Sequence, residues 1–258
     1  MTDLVNKTLA KFAADLEGIF DRKLVDILLY GSCTLGDFEP HRGDLDFVVA
    51  LEGDLSDSET EAIFLLNDGY RSRGCPNLEY QLEGTYYPRN ALADIHANFV
   101  GCYIGTGRNG WKKTQSFCNN YFDLIQMNVN AINYKNSRIN IYLPARDEIE
   151  TYARCGCLEH FGFLQDKRFP SHVAVQFAAR TMFYLKTGRI GSKKESCKAY
   201  SVMHPERAYL KECGNIRAPY DISVIETRWP DHRKCAEMAL SELIGLIDGH
   251  SVEPSLPR

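Results

Sequence analysis

The fold is decided by Leu29-Tyr30-Gly31-Ser32 and, after a polar loop, Gly43-Asp44-Leu45-Asp46-Phe47-Val48-Val49. The first segment ends the apolar run 25–30, and the second begins the apolar run 45–51. Short apolar runs bounded by glycine and polar residues are typical of buried strands. The sequence therefore predicts a strand, a glycine turn, a loop and a second strand.

The turn and the start of the second strand carry the chemistry. Gly31 lacks a Cβ atom, so the backbone can approach a ligand closely, and Ser32 offers a hydroxyl and an amide N–H to phosphate oxygens. Side chains alternate along a strand, which predicts Asp44 and Asp46 on one face and Leu45 on the other. Two carboxylates in a dry cleft repel each other unless a cation intervenes, and such oxygen ligands suit Mg²⁺.

Each part of this pattern also has a plainer interpretation. The glycine and serine could form an ordinary turn, and the two aspartates could be a solvated strand entry. We favour the functional interpretation because both features occur together, in the order strand, Gly-Ser, loop, Asp-x-Asp and strand.

These segments resemble those of a known group of enzymes. The two segments quoted above are similar to the signature of the nucleotidyltransferase superfamily that includes polymerase β-like enzymes. Arg180 with Thr187-Gly188-Arg189-Ile190-Gly191-Ser192-Lys193 resembles the second-domain motif of the bacterial aminoglycoside adenylyltransferases that modify streptomycin and spectinomycin. Leu78-Glu79-Tyr80, with Tyr87-Pro88 after it, resembles the same enzymes.

The resemblance implies roles for residues of the first domain. The two aspartates, Asp44 and Asp46, would bind Mg²⁺, and the Gly31-Ser32 turn would contact the triphosphate of ATP. By the same resemblance, Glu79 would be the catalytic base and a further metal ligand. Strand alternation agrees with this role, because it puts Glu79 on the face shared with the aspartates. Glu83, four residues further on, competes for this role. A surface carboxylate is the plainer interpretation of Glu79.

The resemblance also implies phosphate-binding residues in the C-terminal half. Arg180, Lys193 and Tyr220 would hold the ATP phosphates, so that the nucleotide lies between two domains. Lys193 follows Ser192 at a predicted helix start, where backbone N–H groups and a positive charge suit an anion. The plainer interpretation is that the basic residues between positions 186 and 198 form a solvated face.

The predicted acceptor-binding residues depart from the family pattern. In the streptomycin-modifying enzymes a Trp and an Asp precede the arginine-bearing helix, and ungapped counting places Phe161 and Asp166 at these positions. The missing Trp argues against streptomycin as the acceptor. Trp111 is similar to another acceptor-site aromatic residue of the family, although packing explains a single Trp at least as often.

Hydrophobic periodicity predicts an α+β protein. Apolar residues at positions 5, 9, 12, 16 and 19 predict a first helix, and a capping box of Ser58 and Glu61 predicts the start of a second. Further strands are expected at 78–82, 99–104 and 138–143, and a helix at 121–133. Only helices are predicted after that, at 148–163, 172–186, 193–202 and 231–248, the last closed by Gly249.

Two domains follow from this change of pattern. We expect a nucleotidyltransferase domain with a mixed sheet and flanking helices over residues 1–146. An all-helical domain over 147–251 would complete the nucleotide and acceptor site, with a tail over 252–258.

Composition narrows the classes of partner and compartment. The net charge is −4 and the pI about 6.0, without the basic stripe that a long nucleic acid requires, so a small cationic acceptor fits better. There is no apolar run of about eighteen residues and no export signal, which predicts a soluble, cytoplasmic protein without a membrane partner.

Two other patterns predict no site. The nine cysteines lack the paired spacing of a zinc or redox site and are expected to be reduced thiols. Cys155-Gly156-Cys157 with His160 lacks a second ligand pair. The segment 105–110 fits the Gly-x-Gly-x-x-Gly pattern, but no strand-helix-strand unit surrounds it, and we expect a loop.

The residues together with this resemblance imply Mg²⁺-dependent transfer of AMP from ATP to a hydroxyl of a small acceptor, an aminoglycoside or aminocyclitol antibiotic, with release of pyrophosphate. Two alternatives stay open, namely transfer to a protein or an RNA, and a catalytically silent nucleotide-binding module. The presence of three suitable carboxylates disfavours the silent module.

Overall fold

The computed structural model describes residues 3–39, 44–72, 81–105, 111–166, 169–216 and 222–249. The chain forms two units, Met1–Leu143 and Pro144–Arg258, and the division falls close to the boundary predicted after residue 146. The predicted tail 252–258 lies outside the described residues. Among the helices in the described ranges, none has the length and apolar character needed to cross a membrane.

The first unit is built on a six-stranded mixed sheet. Its strands are β1 (Leu24–Tyr30), β2 (Asp44–Leu51), β3 (Gln81–Pro88), β4 (Gly101–Ile104), β5 (Trp111–Thr114) and β6 (Ile132–Asn133). Their order across the sheet is β5-β4-β3-β2-β1-β6. β2 and β3 are parallel, and the other neighbouring pairs are antiparallel. The parallel pair needs a crossover connection, which contains α2 (Asp57–Ser72).

Helices cover both faces of this sheet. One face packs against α1 (Asp3–Phe20) and α2, with Phe47 and Val49 of β2 in its core. The other face packs against α3 (Arg89–Ala93) and α4 (Tyr121–Asn130), with Val48 and Ala50 in its core. β2 is apolar along most of its length because both of its faces are buried.

The first two helices of this unit follow their sequence signals, α2 with a shift of its start, whereas the short α3 was not predicted. The apolar positions predicted for the first helix lie on α1, and most of them are buried. α2 begins before the predicted box of Ser58 and Glu61. Its capping pair is Ser56 and Glu59, in which Ser56 N donates to Glu59 Oε2 at 2.7 Å and Glu59 N donates to Ser56 Oγ at 3.2 Å. Glu59 is also fixed by Lys23, whose Nζ lies 2.7 Å from Oε2, so a tertiary contact selects this start.

One predicted strand is absent from the sheet, and two observed strands, β5 and β6, were not predicted. β6 lies within the helix expected at 121–133, which ends at Asn130. Residues 138–143 form no ladder. Their apolar side chains pack on the α3/α4 core, and Tyr142 N donates to Leu92 O at 2.6 Å, which accounts for their strand-like pattern. The edge strand β5 was missed because its sequence, Trp-Lys-Lys-Thr, is largely exposed and polar. The strand expected near 99–104 is confirmed as β4, and the one expected at 78–82 is described only from Gln81, as β3.

All the regular elements described in the second unit are helices. Its helices are α5 (Arg146–Phe163), α6 (Ser171–Thr187), α7 (Lys193–Val202), α8 (Ala208–Cys213), α9 (Ile222–Arg228) and α10 (His232–Ile247). The four longer predicted helices are confirmed. α8 and α9 were not predicted because one or two turns are too short to show a helical period. Gly249 has a φ of +76°, the left-handed conformation expected of it.

A buried carboxylate ties the segment after β6 to β1. Asp26 is fully buried. Its Oδ1 accepts from Ile27 N and Lys135 N, both at 2.7 Å, and its Oδ2 accepts from Ser137 N at 2.8 Å. A buried carboxylate is tolerated when its oxygens are satisfied in this way.

Replacing Asp26 with alanine should remove the acceptor of all these N–H groups. We expect urea denaturation to show a loss of about 3 kcal/mol in the free energy of unfolding. Ser137→Ala is the matched control, because it removes only the bond from Ser137 Oγ to Val25 O and should cost about 1 kcal/mol. Equal losses for the two variants would contradict the role of Asp26.

Candidate active site

The turn after β1 lies against a carboxylate of β2. Tyr30 is opposite Asp46 in the antiparallel pairing of the two strands. Gly31 has a φ of +77°, and a Cβ atom at this position would lie 1.8 Å from Asp46 Oδ2. The left-handed backbone and the close approach both require glycine. The predicted phosphate-binding turn, Gly31-Ser32, is therefore in contact with a predicted metal ligand.

Asp44 and Asp46 lie where strand alternation predicts. Both side chains are half-buried on the sheet face that carries Val48. Leu45 between them is 1% exposed and belongs to the opposite core, against α1 and α2. The two carboxylates thus share one face at the beginning of β2.

Glu83 lies beside this aspartate pair. In the parallel pairing of β2 and β3, Glu83 is the direct partner of Asp46. Its Oε1 accepts a hydrogen bond from the Tyr103 hydroxyl of β4 at 2.6 Å. Glu79, which the resemblance favoured, lies outside the described residues, so its role stays a prediction. Of the two glutamates weighed from the sequence, the structure places Glu83 next to Asp46.

The carboxylates act on the titratable groups around them. Burial raises the pKa of the Cys33 thiol to about 12, and the charges of Asp46 and Asp44 add to the increase. Burial also raises the pKa of Tyr103, and the hydrogen bond from Tyr103 to Glu83 raises it further. A cation at this site would therefore be stabilised by the surrounding charge.

A polar network supports the strands from the α4 side of the sheet. Asn119 Nδ2 donates to Tyr30 Oη at 2.7 Å, and Asn119 Oδ1 accepts from Thr85 Oγ1 at 3.1 Å. Cys118 N donates to Tyr87 Oη at 2.8 Å. These bonds fix the segment before α4 against β1 and β3. The sequence gave no signal for them, because they depend on contacts between distant segments.

The two aspartates suit a hard divalent cation. Mg²⁺ takes one or two carboxylates from a protein and completes its shell with water and substrate phosphates. Asp46 provides such a ligand in contact with a turn able to bind phosphate, and Asp44 lies on the same face. Within the described ranges, no group of three or more His, Cys, Asp or Glu side chains is arranged to hold a metal ion by itself.

Trp111, predicted to contact the acceptor, lies on the other side of the sheet. It is opposite Ile104 in the β4–β5 pairing, and Ile104 belongs to the core against α1 and α2. Its indole stacks on Phe64 of α2, with ring centroids 3.7 Å apart. The structure does not bring Trp111 to the carboxylates, and packing accounts for it.

Lys112, its neighbour, is on the carboxylate side. It pairs with Tyr103 across β4 and β5, and its Nζ lies 5.7 Å from the centre of the Tyr103 ring. Sequence reasoning missed both Lys112 and Tyr103. If β5 had been recognised as a strand, alternation would have predicted Lys112 and Trp111 on opposite faces of the sheet.

The helical unit carries the predicted phosphate-binding cations. Arg180 is half-buried on α6, and its Nε is buried without a hydrogen-bond partner among the described residues. Such an orphaned donor is costly, and a ligand oxygen would satisfy it. Lys193 is exposed at the start of α7, after Ser192, whose Oγ accepts from Glu195 N at 3.1 Å. The predicted helix start is therefore confirmed. Tyr220 lies outside the described residues.

The two remaining acceptor candidates are at the end of α5. Phe161 is half-buried on the helix, and Asp166 is exposed in the turn that follows. Arg233 Nη1 donates to Leu164 O at 2.9 Å and to Asp166 O at 3.3 Å, which holds the main chain of this turn. Their contact with an acceptor stays a prediction.

The neighbouring Cys155-Gly156-Cys157 and His160 segment is a packing element. His160 Nδ1 lies 2.7 Å from Gly156 O, and its ring stacks on Phe177 with centroids 4.6 Å apart. The cysteines of the described ranges are free thiols.

Comparison with known proteins identifies a solved structure of similar fold. No family model matches the chain, and no curated protein matches its sequence. Among solved structures, it is similar to the spectinomycin adenyltransferase AAD(9) from Enterococcus faecialis, whose crystal structure contains ATP and spectinomycin. The match has a TM-score of 0.65 and 16% sequence identity, and it covers 94% of this chain and 99% of that one. The chain thus has the fold of this adenyltransferase.

Gly31→Ala should displace the Asp46 carboxylate. We expect a loss of about 2 kcal/mol or more in the free energy of unfolding, measured by urea denaturation, from left-handed strain and the steric clash together. Gly36→Ala is the matched control, because Gly36 has a φ of +73° but nothing within 4 Å of its Cβ position. This variant should lose only the strain, about 1 kcal/mol. Equal losses would show that the contact with Asp46 is not tight.

Proposed function

We propose that this protein transfers AMP from Mg²⁺-bound ATP to a hydroxyl group of a small aminocyclitol or aminoglycoside acceptor and releases pyrophosphate. The observation that carries the proposal is the contact of the Gly31 turn with Asp46, while Asp44 and Glu83 lie on the same sheet face. A phosphate-binding turn, a carboxylate pair and a third carboxylate are the parts that nucleotidyl transfer needs.

Asp44 and Asp46 would hold the metal ion. When bound, Mg²⁺ would neutralise charge on the triphosphate and make the α-phosphorus a better electrophile. The Gly31-Ser32 turn would bind phosphate oxygens through its backbone N–H groups and the Ser32 hydroxyl. These residues bind and orient the nucleotide.

Glu83 is our candidate for the catalytic base. It would accept the proton of the acceptor hydroxyl as the hydroxyl oxygen forms its bond to the α-phosphorus and the bond to the bridging oxygen breaks. Pyrophosphate leaves with the electron pair of the broken bond. The hydrogen bond from Tyr103 to Oε1 holds the carboxylate in one orientation. We prefer Glu83 to Glu79 because strand pairing puts it beside Asp46.

In the helical unit we keep the roles that the resemblance implies. Arg180, Lys193 and Tyr220 would stabilise the phosphates and the leaving pyrophosphate. The orphaned Nε of Arg180 and the position of Lys193 at a helix start support this assignment.

The choice of acceptor class rests on the structural neighbour and on charge. That neighbour was solved with spectinomycin, and the likeness covers nearly the whole chain. Negative charge around the carboxylates favours a cationic acceptor. Phe161, in place of the family's Trp, argues against streptomycin. Modification of an antibiotic in the cytoplasm would make the protein a resistance enzyme.

Pyrophosphate release from MgATP, measured with a panel of aminocyclitols and aminoglycosides, tests this proposal. We expect turnover with an aminocyclitol such as spectinomycin, and loss of turnover when the metal is chelated. Asp46→Asn should lower kcat/KM by about a thousandfold, because a ligand to the cation is lost. Nucleotide binding without turnover on any acceptor would favour the silent module. Labelling of protein or RNA from α-³²P ATP would favour the other acceptors.

The two glutamates are separated by a second measurement on the same reaction. Glu83→Gln should lower kcat by about a thousandfold with little change in nucleotide affinity, because the amide cannot take up the proton. Glu79→Gln is the matched control and should keep kcat within about threefold. The opposite result would restore Glu79 as the base.

A further inference from the structure

We propose that Gln126 is a positioning residue, which locks the Gly31-Ser32 peptide in the orientation that binds the triphosphate. This inference rests on the proposed function, since it concerns how the same site is held ready for a nucleotide. Gln126 lies on α4, far from the turn in sequence, and no motif of the chain includes it.

The start of α4 fixes which side chain faces the turn. Asn120 and Asp123 form a reciprocal capping box, with Asp123 N donating to Asn120 Oδ1 at 3.0 Å and Asn120 N donating to Asp123 Oδ2 at 3.1 Å. Leu124 and Met127 then pack into the core beneath the sheet. With the helix held in this rotation, Gln126 is 1% exposed between buried apolar neighbours. A buried amide at such a position needs its hydrogen bonds satisfied.

The Gln126 amide bonds the glycine carbonyl of the turn. Its Nε2 donates to Gly31 O at 2.8 Å and lies 3.3 Å from Thr34 Oγ1. The same carbonyl oxygen accepts from Thr34 Oγ1 at 3.1 Å and from Thr34 N at 3.2 Å. Among the described residues, Gly31 O therefore has three donors around it, of which Gln126 is the nearest and the one from outside the turn.

This carbonyl controls the direction of the next amide group. The peptide unit is planar and trans, so the Ser32 N–H points opposite to the Gly31 C=O. Gln126 is 1% exposed, so the side of the peptide that faces it is occupied by protein. The bond from Gln126 thus directs the Ser32 N–H toward the side that a phosphate can reach.

Without this bond the turn would have an alternative conformation. Glycine lacks a Cβ atom, so rotation of the peptide that follows Gly31 meets little steric resistance. A rotated peptide would present the carbonyl oxygen to the phosphates in place of the N–H, and two partly negative groups would repel each other. The amide of Gln126 opposes that rotation because it is buried and would lose its best acceptor.

Calorimetric titration with MgATP in the absence of acceptor tests the inference on the full-length protein. Gln126→Met removes the donor and keeps the volume and helix propensity, and it should weaken the Kd for MgATP by about tenfold. Thr34→Val removes the second side-chain donor to the same oxygen and should weaken the Kd in the same direction, by about threefold. In turnover assays both variants should change KM for ATP more than kcat.

Asn67→Leu provides the matched control for loss of a buried amide. Asn67 is 3% exposed on α2, on the other side of the sheet, and its Nδ2 donates to Ile63 O at 2.8 Å. This variant should lose stability but bind MgATP as the parent does. A Gln126→Met protein that binds MgATP within twofold of the parent would overturn the inference. So would Thr34→Val with unchanged binding if Gln126→Met fails to fold. Parent protein that binds no MgATP would instead refute the proposed function.

Discussion

The contact between the Gly31 backbone and the Asp46 carboxylate is the constraint on which the site depends. It requires glycine at the end of β1, and it requires β1 and β2 to pair so that Tyr30 is opposite Asp46. The alternation of β2 then places Asp44 beside Asp46 and sends Leu45 into the opposite core. Under the proposed function, these carboxylates would hold a cation and the N–H groups of the adjacent turn would bind its phosphates.

Sequence reasoning succeeded where a signal is local. The glycine turn, the Asp-x-Asp pair and the faces of β2 follow from the alternation of a single strand. It was less successful where two segments must be placed together. Glu79 and Glu83 are four residues apart in the sequence, so alternation alone cannot choose between them, whereas the parallel register of β2 and β3 identifies Glu83 as a neighbour of Asp46. The position of Trp111 was likewise mispredicted, because it lies on β5, a short edge strand whose sequence has no apolar pattern.

The helical unit shows the same division between local and tertiary information. The long helices of this unit appear in the sequence as periodic apolar positions. The start of α7 after Ser192 and the end of α10 before Gly249 also depend on short-range features. The Arg180 Nε is buried without a hydrogen-bond partner among the residues that the structure describes, and the sequence does not show this because it arises from packing around α6. A polar donor left unsatisfied inside a protein is a stronger indication of a ligand than a basic residue in a run of basic residues.

The parallel pairing of β2 with β3 has a further consequence for how the protein acquires activity. β1 and β2 are antiparallel neighbours, whereas β3 reaches its place only after the crossover through α2 has closed a long loop. Non-local parallel pairings form slowly because the entropy of loop closure is lost before the contacts are gained. We therefore expect a folding intermediate to contain the turn and both aspartates before Glu83 arrives. Recovery of catalysis during refolding would then report the completion of the sheet, later than the first appearance of nucleotide-binding elements.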